Sequence, residues 1–364
     1  MTSGISCDGE AVSMKRLPRA PEKFDALELY SAVARQQGYR IGMGDDLVDF
    51  QQRIGAALKA TLQNPNVLHG KRVEAMFAHV LGALGGCKYI KQEDGGAVFA
   101  STDDFEIPDY RVVTNEGQLL LIEVKNFHMK NLRSRFNLQR AYLAKLTAYA
   151  EMNHARLKVA IYFSRINKWI LLSPESFIVD GRWAYIDLPH GMARNEFSLL
   201  GDRVIATLPP LSIEFTGDPN DDRAIVQPDG TAVFTIRQVQ MKCAGKVIKD
   251  LEEQRIAFYL MRYGGWMDSE APATIVDGRL LSLAFVSAPD EDEANDQPFR
   301  MLGDLSSMVS TAYRELTVGD GGVMSLDVKY DPAFFDLKIP DAYKGADLPL
   351  WQFAIQPNPE FRHE

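Results

Sequence analysis

Residues 108–125 read PDYRVVTNEGQLLLIEVK, and the order of residue types in this stretch decides the fold around it. Tyr110, Arg111, Val112 and Val113 carry enough aromatic and β-branched character for a strand. Asn115-Glu116-Gly117 is a turn signal. The run from Leu119 to Val124 is short and apolar, as in a buried central strand. Two strands joined by a tight turn pair antiparallel. That pairing brings Asp109 beside Glu123. Lys125 lies two residues beyond Glu123 and therefore points to the same face of its strand.

Two carboxylates and an ammonium at one strand end have a chemical use. Mg²⁺ takes oxygen ligands, often one or two carboxylates completed by waters and substrate phosphate oxygens. Asp109, Glu123 and the backbone carbonyl of Val124 suit such an ion. A divalent metal there would acidify water and neutralise charge on a phosphorus, and Lys125 would act as a compact positive point beside it. A structural ion pair meets the same demand for charge compensation at a buried strand end.

The order P-D, turn, apolar strand, E-x-K resembles the PD-(D/E)XK nuclease superfamily, which includes restriction enzymes, junction resolvases and recombination nucleases. The resemblance covers residues 68–172. P-D recurs at Pro228-Asp229, Pro289-Asp290 and Pro340-Asp341, and acid-x-Lys at Asp327-Val328-Lys329 and Asp336-Leu337-Lys338. Only the early pair has strand, turn and strand in sequence. The resemblance implies an α/β fold with a restriction-endonuclease-like mixed sheet flanked by helices. It also implies a Mg²⁺ (or Mn²⁺) cofactor and hydrolysis that leaves a 5′-phosphate and a 3′-hydroxyl.

The flanks add two features. Upstream, residues 70–86 read as an amphipathic helix with Val73, Met76, Phe77, Val80, Leu81 and Leu84 at helical spacing, ended by Gly85-Gly86. Glu74 is placed in its first turn, where the helix dipole favours an acid. In many members of the superfamily such a helix supplies an extra glutamate to the metal, and Glu74 matches that position. Downstream, residues 124–150 contain no Asp or Glu, whereas the whole chain has net charge -9. Lys130, Arg133, Arg135 and Arg140 in that stretch are candidate contacts to a polyanion. A helix is expected over 132–152. Gln139 and Tyr142 on it, expected to contact the nucleic acid as well, resemble the Gln-and-Tyr element that follows E-x-K in recombination-type nucleases, with a spacing of three instead of the usual four.

The length of 364 residues implies more than one domain. The expected division is a helical segment over 1–66, a nuclease core over 67–185 and an additional α+β C-terminal domain over 186–364. The C-terminal domain has no catalytic constellation; recognition, dimerisation and regulation are its candidate roles. Helices are expected over 24–36, 45–62, 246–262 and 299–316, with Asp45 or Asp46 capping the second and Asn64-Pro65-Asn66 breaking it. Further strands are expected at 89–90, 97–100, 157–163, 169–172, 184–188, 203–208, 211–215, 232–240, 280–286 and 323–328. Cys7, Cys87 and Cys243 are few, odd in number and widely spaced, which reads as reduced thiols and a cytoplasmic protein. The first residues lack an apolar signal core, and no apolar run approaches membrane-spanning length.

The functional expectation is a metal-dependent nuclease, a DNA endonuclease by the habit of the superfamily, with Asp109, Glu123, Lys125 and Glu74 in the site. A homodimer is a candidate assembly because cutting both strands of a duplex takes two sites. A regulatory ligand or protein partner is a candidate for the second half. Two other readings compete: an inactive nucleic-acid-binding or partner-binding module on the same fold, and a defence or regulatory nuclease switched by its C-terminal domain.

Overall fold

A computed structural model gives the fold and describes residues 14, 26–93, 98–218, 220–269, 272–290, 297–337, 339 and 343–362. The chain opens with α1 (Ala26–Gln37), α2 (Gly44–Leu62) and α3 (Pro65–Leu84), followed by β1 (Cys87–Gln92), β2 (Tyr110–Thr114) and β3 (Leu119–Phe127). After β4 (Phe136–Gln139) and α4 (Arg140–Met152) come β5 (Arg156–Phe163) and β6 (Lys168–Leu172). These elements build a five-stranded sheet in the order β1-β2-β3-β5-β6, in which only β3 and β5 run parallel. The parallel pair needs a crossover, and α4 supplies it.

Alternation along β3 assigns the two layers. Leu120, Ile122 and Val124 join Val73, Met76 and Phe77 of α3 in one apolar cluster. Leu121 joins Leu143, Leu146 and Ala150 of α4 in another, with Val159 and Ile161 of β5. The sheet is therefore mixed and flanked by helices on both faces, as expected.

The second half carries β7 (Ile178–Asp180), β8 (Trp183–Ile186), α5 (Leu188–Ala193), β9 (Val204–Thr207) and β10 (Leu211–Gly217). Then follow β11 (Ile236–Cys243), β12 (Lys246–Val247), α6 (Leu251–Tyr263), β13 (Met267–Ser269), β14 (Ala273–Val276) and β15 (Arg279–Ala288). Last come β16 (Arg300–Asp304), α7 (Leu305–Thr317), β17 (Val318–Gly319), β18 (Gly322–Val323) and β19 (Leu350–Phe353). An antiparallel sheet β12-β11-β10-β15-β13, with β14 also on β15, is backed by α6. The strands β16-β9-β19 form a smaller sheet. Val309, Ala312 and Tyr313 of α7, with Val328 and Phe335, pack into the cluster around α3. No helix among the described residues is long and apolar enough to cross a membrane.

Several elements differ from expectation, each for a local reason. Pro65 begins α3 as well as ending α2. Asn64 is the N-cap, its side chain accepting from the amides of Asn66 (3.2 Å) and Val67 (3.4 Å), and proline suits the first helical position. Glu74 thus lies inside α3, beyond its first turn. Asp45 and Asp46 sit in the first turn of α2, but the N-cap is Met43 and no side chain caps it. Residues 136–139 form β4 against β8 because Phe136 and Leu138 alternate inward, so α4 begins only at Arg140 and Gln139 ends a strand. Asp250 caps α6 through the amides of Glu252 (2.9 Å) and Glu253 (3.0 Å), and Lys246–Val247 is strand. Residues 300–304 pair with β9, and the helix starts after Gly303, whose φ of 123° suits glycine alone. Of the strand expected over 97–100, residue 97 lies outside the described residues and 98–100 are irregular. β11 begins at Ile236, not 232, and of the strand over 323–328 only Val323 is in a strand.

Candidate active site

The antiparallel register ends at Tyr110↔Ile122, and just beyond it Asp109 lies close enough to Glu123 for their charges to interact. Both side chains emerge on the α4 side of the sheet, where Lys125 also points. Asp109 Oδ2 accepts the backbone N–H of Val124 at 2.7 Å. Glu123 is almost wholly buried, 2% exposed. Its Oε1 accepts from Lys125 Nζ and from the hydroxyl of Tyr142 at 2.6 Å. The same Lys125 ammonium lies 5.4 Å from the centre of the Tyr142 ring. Among the described residues both donors fall on Oε1, which leaves Oε2 as the oxygen of Glu123 open to another partner.

Helix α3 reaches the site from the other layer. The Tyr110 hydroxyl donates to the Glu74 carbonyl at 2.8 Å and ties the helix to the start of β2. The Glu74 carboxylate is held by Lys71 Nζ at 2.6 Å. Its hydrogen bond to Glu74 raises the pKa of Lys71, and the Asp109 and Glu123 carboxylates act on it in the same direction. Lys71 and Asp109 both line a cleft of ≈ 400 Å³, with Glu93 and Glu106 on its walls. Glu93 is neutralised by Arg111 at 2.7 Å.

The electrostatics of Asp109 are the informative part. Burial pushes its carboxyl up to about 7, and the neighbouring Glu123 and Glu74 charges push the same way. The Val124 amide and Lys125 pull back without compensating. The local cations are already engaged, Lys71 with Glu74 and Lys125 with Glu123. Among the described residues Asp109 is thus left without full charge compensation. Among the described residues no three acidic, histidine or cysteine side chains are gathered closely enough to hold an ion. A two-carboxylate site completed by water is the arrangement Mg²⁺ favours, and oxygen donors fit it. Asp109 and Glu123 would hold such an ion, with the Val124 carbonyl next along the strand and Glu74 on α3 as further candidate oxygens.

The candidate polyanion contacts occupy a rim beyond α4. Lys130, Arg133 and Arg135 lie in the exposed loop over 128–135. Arg135 stacks on Tyr185 at 4.3 Å, and Arg140 donates to the Gly181 carbonyl at 3.2 Å. None of these four cations is paired with a carboxylate among the described residues. Gln139 is exposed at the end of β4 and is not brought to the carboxylates, whereas Tyr142, assigned from sequence to the polyanion, touches Glu123 directly.

Sequence reasoning missed Lys71. The available signal was its position one turn before Glu74 on the same helix face. It also missed that Val124 serves Asp109 through its N–H.

No family model and no curated protein matches the chain. One solved structure with likeness to it is Hjc, a Holliday junction resolvase from the archaeal hyperthermophile Archaeoglobus fulgidus. The match has 20% identity and a TM-score of 0.23, and covers 28% of this chain and 76% of that one.

Proposed function

We propose that the protein is a metal-dependent nuclease, most simply a DNA endonuclease. The observation that supports this reading is the juxtaposition of Asp109, which lines the cleft, with Glu123 of β3, with burial and the Glu123 charge both raising the Asp109 pKa. A divalent ion bound there supplies Lewis acidity toward water and phosphate oxygen. The chain's own residues do the rest. Asp109 and Glu123 give their carboxylate oxygens, and Tyr142 orients Glu123 by fixing Oε1. Lys125, one hydrogen bond from Glu123, is placed to hold a water or steady negative charge at phosphorus. Glu74 assists from α3. The cations of the 128–140 rim, unpaired among the described residues, attract the polymer backbone.

The competing reading is a binding module in which Lys71–Glu74 and Lys125–Glu123 are ordinary ion pairs. A single assay separates the two. Purified protein is incubated with supercoiled and linear duplex DNA, circular single strand and RNA, in Mg²⁺, Mn²⁺ or chelator. Metal-dependent cleavage is expected, abolished in Asp109→Ala, Glu123→Ala and Lys125→Ala while each variant keeps its circular dichroism spectrum. Full activity in any one of the three removes that residue's assignment. Binding without cleavage in every metal leaves the module reading.

A further inference from the structure

Arg72 is a buried cation with no carboxylate beside it among the described residues. It sits on α3, is 5% exposed, and turns its guanidinium toward α7. Its Nη1 reaches Met76 Sδ at 3.9 Å and Thr317 Oγ1 at 3.4 Å. Both contacts are long, and neither acceptor carries charge. Its Nε–H is sealed from water and finds no acceptor among the described residues. Burial pulls the pKa of the guanidinium down. Arginine is rarely buried unless paired, because a charge withdrawn from water needs an opposite charge or good hydrogen bonds to offset the loss.

A second cation stands close by. Thr311, Arg314 and Thr317 follow at intervals of three along α7, so Arg314 lies between the two threonines around the helix. Thr317 is the residue that touches Arg72. Thr311 accepts from Asn167 Nδ2 at 2.9 Å, and Asn167 Oδ1 accepts the Tyr162 hydroxyl at 2.7 Å. Arg314 is therefore set between Arg72 on one side and the Tyr162 network on the other. It is exposed, and no carboxylate holds it among the described residues. Its neighbour Glu315 is taken by Arg262 at 2.8 Å. Burial raises the Tyr162 pKa while Arg72 and Arg314 both pull it down, so the three groups share one electrostatic neighbourhood. Asn126 of β3 pairs with Tyr162 of β5 and shares its face of the sheet, and the Asn126 Oδ1 is buried without a partner among the described residues. With the amide turned over, Nδ2 is offered in the same place.

We infer that Arg72, Arg314 and Asn126 form a site for one phosphate group, with Arg72 as the inner cation and Arg314 as the outer. Two cations without an anion call for a doubly charged ligand. The donors come from α3, α7 and β3, and a tetrahedral phosphate has enough oxygens to bridge all three. The planar guanidinium fork matches phosphate oxygens in pairs. The site lies around the end of β3 from the carboxylate cleft: Asn126 follows Lys125 and points to the opposite face of the sheet. The same chemistry holds free phosphate, a nucleotide or a phosphate of a polynucleotide. The inference does not rest on the nuclease reading, because binding is read without metal and without cleavage.

Equilibrium dialysis of the full chain against radiolabelled inorganic phosphate, in chelator, tests it. One phosphate per chain is expected at saturation. Arg314→Ala, at an exposed position, should weaken binding by about tenfold or more, the loss expected for one charge-assisted hydrogen bond. Arg72→Met should abolish binding and, with phosphate absent, raise the thermal midpoint, because the buried charge is gone. Lys71→Ala, on the cleft wall, should leave binding unchanged. An oligonucleotide that displaces the label assigns the site to a polymer phosphate, and one that does not assigns it to free phosphate or a nucleotide. No saturable binding at millimolar phosphate overturns the inference, and so does binding that survives both arginine changes. Loss in Lys71→Ala with full binding in Arg314→Ala would put the phosphate in the cleft and overturn it too.

Discussion

Asp109→Asn should stabilise the metal-free protein at alkaline pH, although it removes a residue proposed to be essential. The carboxyl titrates at about 7 instead of the ordinary 3.8, chiefly because it is buried and next because Glu123 is close. A folded-state pKa above the unfolded one means that the native state holds the proton more tightly. The contribution to stability is complete below about pH 4 and is lost as pH rises through 7. A shift of that size, at 1.36 kcal/mol per unit, corresponds to about 4 kcal/mol of ionisation cost. The side chain is partly open to the cleft, and water there screens it, so about 2–4 kcal/mol is the expected gain for Asn, which keeps an acceptor for the Val124 amide. Urea unfolding in chelator, followed by the fluorescence of buried Trp169, measures it between pH 4 and 9. The difference between variant and wild type should vanish near pH 4, rise by about 1.4 kcal/mol per unit or somewhat less, and level off above 7. Excess Mg²⁺ should then stabilise the wild type by mass action and leave the variant unmoved. A variant that is less stable at pH 8, or a difference that does not change with pH, would refute the claim that Asp109 is short of positive charge.

Two further outcomes follow from single contacts. Tyr142→Phe deletes one of the two donors on Glu123 Oε1; it should cost about 1–3 kcal/mol of stability and lower cleavage, and equal urea midpoints and turnover would show the contact to be idle. Glu253 on α6 is buried and accepts the amides of Ala346 (2.7 Å), Asp347 (2.9 Å) and Leu348 (2.8 Å), so Glu253→Ala should cost about 3 kcal/mol and speed hydrogen exchange at those three amides, whereas Glu253→Gln, with one acceptor oxygen left, should lose less.

What was legible in the sequence was what local chemistry alone determines. The apolar run Leu119 to Val124 reads as a buried strand and Asn115-Glu116-Gly117 as a turn back onto Tyr110 to Val113, and the structure forms both strands antiparallel. Helix α3 was legible in its middle, but Pro65 was read only as a breaker, and that displaced Glu74 into a first turn it does not occupy. β4 and β16 were hidden for one reason. Each is a short strand running straight into a helix, and each exists because a partner strand from elsewhere in the chain pairs with it. Lys71 was hidden differently. Its helix and spacing were in plain view, yet its relevance depends on which face of α3 meets the cleft, a fact set by the Tyr110 bond to the Glu74 carbonyl.

The cover over α3 comes from the far end of the chain, from α7 and the residues around Val328 and Phe335. A ribosome making this protein therefore extrudes the sheet and α3 long before it makes their lid, and a greasy groove waits open through much of synthesis. Only a polypeptide extended through Phe335 can seal it. Abortive products, stopped anywhere before α7, would emerge sticky and exposed to the cell's proteases. Whatever chemistry the cleft performs is thereby tied to molecules translated through Phe335.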